Sequence, residues 1–99
     1  MLQKKYVKSK DEFEVTFQLN NEAAQKVALV CEANGWEPVA MKKNKEGVHQ
    51  AKLRLAKDGK YQFRYLVDET SWVNDEAADE YCTNEHGSEN SVVTTFSQN

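Results

Sequence analysis

The run Glu12-Phe13-Glu14-Val15-Thr16-Phe17-Gln18-Leu19 alternates polar and apolar residues without a slip. Wound as a helix, Phe13, Val15, Phe17 and Leu19 would scatter over every face. Extended, they share one side, so the stretch is predicted to be a half-buried strand. A strand with one apolar face needs neighbours beside it and a second layer above it. The chain offers several. Tyr61 to Val67 alternates in the same way, with Tyr61, Phe63, Tyr65 and Val67 inward and Gln62, Arg64 and Leu66 outward. Lys26 to Cys31 is apolar on both faces, as a central strand would be. Val48 to Leu55 keeps Ala51, Leu53 and Leu55 in phase, and Ser91 to Phe96 closes the chain as a β-branched strand.

The connections carry less order. Ala23-Ala24-Gln25 offers at most one helical turn. Residues 34–47 read as a long connection with Val39 and Met41 packing back onto the body. Asp58-Gly59 between two alternating runs predicts a β-hairpin. With no helical pattern and 99 residues, the expectation is an all-β sandwich, residues 1–99 forming a single domain around one core.

Charge and motif narrow the chemistry. The net charge of −3 is spread along the chain, and Lys4-Lys5 and Lys42-Lys43 are too small a basic surface for a nucleic acid. No apolar run spans a membrane, and the first residues lack the apolar segment of a signal peptide, so a cytoplasmic location is expected. Cys31 and Cys82 are read as reduced thiols without metal spacing, and His49 and His86 stand too far apart to suggest a metal pair. Asp75, Glu76, Asp79 and Glu80 are read as a solvated turn, because paired catalytic carboxylates need a cleft that excludes water. No catalytic residue, metal or cofactor is expected.

Two tryptophans stand apart from the strand pattern. Trp36 follows Asn34-Gly35 just past an apolar strand, and Trp72 lies in a polar neighbourhood. From the residues alone Trp36 is as readily a cap on the sandwich edge, Arg64 a solvated charge and Asn90 an ordinary turn residue.

The order of features adds a resemblance. The apolar strand, Asn-Gly-Trp, the run Gly59-Lys60-Tyr61-Gln62-Phe63-Arg64-Tyr65-Leu66-Val67-Asp68, Trp72 and then Gly87-Ser88-Glu89-Asn90-Ser91-Val92-Val93 resemble carbohydrate-binding module family 48 over about residues 26–96. That family includes the glycogen-binding domain of the AMP-activated protein kinase β subunit and the N-terminal early set domains of isoamylases and glycogen branching enzymes. The resemblance implies an immunoglobulin-like β-sandwich that binds α-1,4-linked glucans such as glycogen, starch and maltodextrins without catalysis. It also implies that Trp36 and Trp72 stack on glucose rings, and that Arg64, His86, Ser88 and Asn90 complete the contact. The partners it implies are the glucan and a glucan-metabolising enzyme or kinase-type protein. The chain departs from the family pattern at Ala33, where a phenylalanine is usual, at His86, where an aliphatic residue is usual, and in the longer turn Glu69-Thr70-Ser71. These departures favour an alternative, a protein–protein adaptor that keeps the sandwich and has lost the sugar. A more distant alternative is an accessory piece of a glucan-processing glycoside hydrolase.

Overall fold

The computed structural model describes residues 1–96. Ten strands follow one another: β1 (Leu2–Val7), β2 (Glu12–Asn20), β3 (Val27–Cys31), β4 (Val39–Ala40), β5 (Lys42–Lys43), β6 (Val48–Ala56), β7 (Lys60–Val67), β8 (Ser71–Val73), β9 (Glu80–Thr83) and β10 (Glu89–Thr94). A single 3-10 turn, Glu32–Asn34, follows β3. The first sheet has the order β1-β2-β6-β5, and the second has β4-β3-β7-β10-β9, with β8 pairing the far half of β7. All the pairings are antiparallel. The architecture is an immunoglobulin-like β-sandwich.

The alternating runs form its interior. Val15 and Phe17 from β2, Leu55 from β6, Leu29 and Cys31 from β3, Phe63 and Tyr65 from β7 and Val93 from β10 are buried between the sheets. Phe17 meets Phe63 edge-on across the layers, with ring centres 4.9 Å apart, and Phe63 meets Tyr65 at 5.6 Å. Edge-to-face packing suits the ring quadrupoles and adds to the area buried. Residues 34–47 do pack back: the chain changes sheets at Met41, which is buried between β4 and β5.

Four expectations are corrected. Asp58-Gly59 does not close a hairpin, because β6 belongs to the first sheet and β7 to the second. The turn carries the chain across the sandwich and is tied to the end of β10 instead. Thr95 accepts from Asp58 N through its carbonyl at 2.8 Å and from Gly59 N through its hydroxyl at 3.0 Å. Strands β1 and β9 were not foreseen; both carry mostly exposed residues. The last strand runs from Glu89 to Thr94 rather than from Ser91 to Phe96. Finally, Asp75 is no solvated turn residue: it is 2% exposed.

Candidate functional site

Because β7 alternates, the residues it turns away from the core are Gln62, Arg64 and Leu66, and the sheet register decides what surrounds them. Val30 on β3 lies opposite Arg64, and Trp72 on β8 lies opposite Leu66. Val92 on β10 lies opposite Gln62, two residues from Asn90 on the same outer face. This outer face of the second sheet floors an open cleft of about 610 Å³. One wall comes from the loop after β3 and the other from the loop between β9 and β10.

Trp36 stands on the first wall. The turn Glu32–Asn34 ends at Gly35 in the left-handed region, and Trp36 follows there too, with φ of 66°. Glycine takes that conformation freely, but for a bulky side chain it is strained by about 1–2 kcal/mol. Trp36 is held there by its own N–H, which donates to the Cys31 carbonyl at 2.9 Å. The indole remains 42% exposed, so this strain is not offset by core burial. Cys31 itself faces inward, and burial raises its thiol above the ordinary value, so it stays neutral beneath the loop.

Trp72 reaches the cleft across the turn that joins β7 to β8. Asp68 and Glu69 both take positive φ, and Thr70 N donates to the Val67 carbonyl at 3.1 Å. The added length is absorbed in this turn, and Trp72 lands on the outer face beside Arg64. The guanidinium carbon lies 5.3 Å from the indole centre, a cation–π contact. Trp72 is 50% exposed. The Nε of Arg64 is buried and has no hydrogen-bond partner within the protein.

The far wall is organised by Asn84. Its side-chain oxygen accepts from His86 N at 2.9 Å and Ser88 N at 3.2 Å, and its amide nitrogen donates to Ser88 Oγ at 2.8 Å and Asn90 Oδ1 at 3.3 Å. One short side chain thus replaces several backbone bonds, as asparagine does in tight turns. Asn90 passes the chain of bonds on by donating to Gln62 Oε1 at 2.8 Å. Its amide keeps one hydrogen and one lone pair free.

Of the six residues singled out in the sequence, Trp36, Arg64, Trp72, His86 and Asn90 line this one cleft. Asn90 is largely buried in its floor, and His86 is exposed at its rim beside Glu85. Ser88 does not line the cleft; its hydroxyl and backbone close the Asn84 loop instead. Sequence reasoning missed Gln62, Asn84 and Glu85 as cleft residues. Alternation had placed Gln62 outward beside Arg64, which could have found it. Asn84 and Glu85 follow β9, the strand the pattern did not reveal.

The surface combines flat aromatic faces with donors and acceptors and little net charge, the chemistry of a site for a neutral, polyhydroxylated ligand. Among solved structures, the chain is similar to the catalytic module of the multi-modular glycogen-degrading pneumococcal virulence factor SpuA, in complex with an inhibitor. The TM-score is 0.70 at 17% sequence identity, covering 95% of this chain and 16% of that one. A search of curated proteins by sequence returns no match. A profile of the family described as the glycogen recognition site of AMP-activated protein kinase matches residues 13–99, reaching further toward the N-terminus than the motifs themselves. With nearly the whole sandwich inside that match, the chain belongs to this glycogen-recognition family.

Proposed function

We propose that this sandwich is a non-catalytic module that binds α-1,4-linked glucans such as glycogen, starch or maltodextrins in the cleft between Trp36 and Trp72. The observation that carries the reading is the strained, exposed Trp36 sharing one cleft with Trp72 and Arg64. A glucose ring offers patches of C–H to an indole face and a rim of hydroxyls to donors and acceptors. Arg64 presents the fork of N–H groups at the end of its guanidinium to adjacent hydroxyl oxygens. Asn90 offers its spare hydrogen and lone pair from the floor, and His86 meets the chain at the rim. Ser88 serves by closing the loop that holds both. The module would hold a protein partner, such as a glucan-metabolising enzyme or a kinase-type protein, on its polysaccharide.

The cleft is open to water, so affinity comes from a few stacked rings, and Kd for a short oligosaccharide is expected at about 10 μM to 1 mM. Maltoheptaose titration of the intrinsic tryptophan fluorescence tests this, with cellohexaose as the β-linked control. Trp36→Ala or Trp72→Ala should weaken binding about tenfold or more, ~1.4 kcal/mol. Neither should lower the urea midpoint appreciably, since both rings lie outside the core. No response to millimolar maltoheptaose, or binding by both variants as tight as that of the parent protein, would overturn the reading.

A further inference from the structure

The loop that carries Trp36 leaves β3 where the sheet still has a bond to make. The β3–β7 register pairs Val27 with Val67 and continues to Cys31 with Phe63, so the next position places Glu32 opposite Gln62. The backbone does not continue as a strand. It turns into the 3-10 helix, and the Glu32 carbonyl is taken by Gly35 N at 3.1 Å. That would leave the Gln62 N–H without its ladder partner. The Glu32 carboxylate reaches across instead, and Oε1 accepts from Gln62 N at 2.9 Å.

Apart from the Trp36 N–H on the Cys31 carbonyl, little else ties the turn to the sheet. None of Glu32, Ala33 or Asn34 is buried, and no side chain caps the turn. Asn34 bonds only forward along the loop, donating to the Glu37 carbonyl at 3.2 Å. A bulky residue in the left-handed region persists only where its surroundings hold it. We infer that Glu32 is a positioning residue for Trp36: its carboxylate takes the place of the missing ladder bond and sets where the indole stands. Glu32 does not line the cleft and need not touch the ligand. Its partner Gln62 also holds Asn90, so the same strand position connects both walls.

The inference rests on the glucan-binding reading of Trp36, and its test separates the two. In a Trp72→Phe background, Trp36 is the sole indole, and time-resolved anisotropy reports its motion without any ligand. Glu32→Ala should increase the fast component, and Glu32→Gln, which keeps the acceptor, should restore the parent decay. With Trp72 intact, Glu32→Ala should weaken maltoheptaose binding about three- to tenfold, the worth of one hydrogen bond. In a Trp36→Ala background the same change should have no further effect. Unchanged anisotropy in Glu32→Ala, failure of glutamine to restore the decay, or an equal loss of binding without Trp36 would overturn the assignment. If the parent protein bound no maltoheptaose, the function would fall, and the anisotropy would still decide the role of Glu32.

Discussion

Backbone conformation at single residues separates what this chain needs for folding from what it keeps for another purpose. Among the described residues, Asp11, Trp36, Asp58, Asp68 and Glu69 take positive φ without being glycine. Aspartate tolerates that region, and Asp68 uses it: its carboxylate accepts from Gln25 N and Lys26 N, each at 2.9 Å. Glu69 has no such return. Its ion pair with Lys26 is about three-quarters exposed on both sides and contributes little. Glu69→Gly relieves the left-handed penalty and partly offsets it with the greater freedom of an unfolded glycine. A gain of about 0.5–1 kcal/mol is expected, read as a higher urea midpoint at unchanged slope. Trp72 should keep its place beside Arg64, so maltoheptaose affinity should not change. The same strain at Trp36 has no equivalent remedy, because the residue that relieves it removes the ring.

Strands with a buried face announce themselves in sequence, and strands without one do not. Alternation located β2 and β7 because each turns one apolar side to the core, and it thereby placed Arg64 and Gln62 on the outer face. In β9 (Glu80–Thr83) Tyr81 is largely exposed and Cys82 only partly covered, so no period-two signal survives. The wall built by Asn84 was hidden with it. Local turn chemistry fails for a different reason at Asp58-Gly59. Two residues can specify a reversal, but only contacts distant in sequence, here Thr95, decide which sheet the chain joins. The motif order placed Trp36, Trp72 and Asn90 by likeness, while the bonds that orient them required the pairing of β3, β7 and β10. For the β9–β10 loop the consequence is testable. Asn84→Ala removes the acceptor of His86 N and Ser88 N, so exchange of those amide hydrogens should accelerate markedly. Asn84→Asp keeps that acceptor, loses both donated bonds and sets a carboxylate oxygen against Asn90 Oδ1. It should leave the amides protected and weaken maltoheptaose binding several-fold, through the displaced Asn90 amide. Equal protection in both variants would show that the loop closes without Asn84.

Across the whole molecule, the two sheets are joined by apolar packing and by buried polar links: Thr95, just past β10, donates to the Ala56 carbonyl of β6 at 2.7 Å, and a larger centre forms around Asp75. Asp75, between β8 and β9, receives the Tyr65 hydroxyl at 2.8 Å, Ala77 N at 2.8 Å and the Met1 ammonium at 2.5 Å. Its own N–H donates to Ser91 Oγ at 2.9 Å, and Tyr81 donates to its carbonyl. Tyr65 and Ser91 belong to the second sheet, while Met1 extends the β1–β2 edge of the first through Gln18. Burial, and then the neighbouring carboxylate, raise the Tyr65 phenol well above the usual tyrosine value. The hydroxyl is therefore a permanent donor to Asp75. An acidic residue in a polar segment reads as solvated because charge is costly to bury; here three donors compensate that cost. Removing one side of such a centre costs more than its net worth, because the partners stay buried and unpaired. Asp75→Ala should destabilise the fold by about 3 kcal/mol, and Tyr65→Phe, which leaves the carboxylate two donors, by about 1–2 kcal/mol. The double variant should fall short of the sum by about 1 kcal/mol, since both changes break the same bond. Urea unfolding of the four proteins measures this cycle. A cost for Asp75→Ala within about 0.5 kcal/mol of zero, the range of ordinary surface changes, would show that this centre does not hold the sheets together.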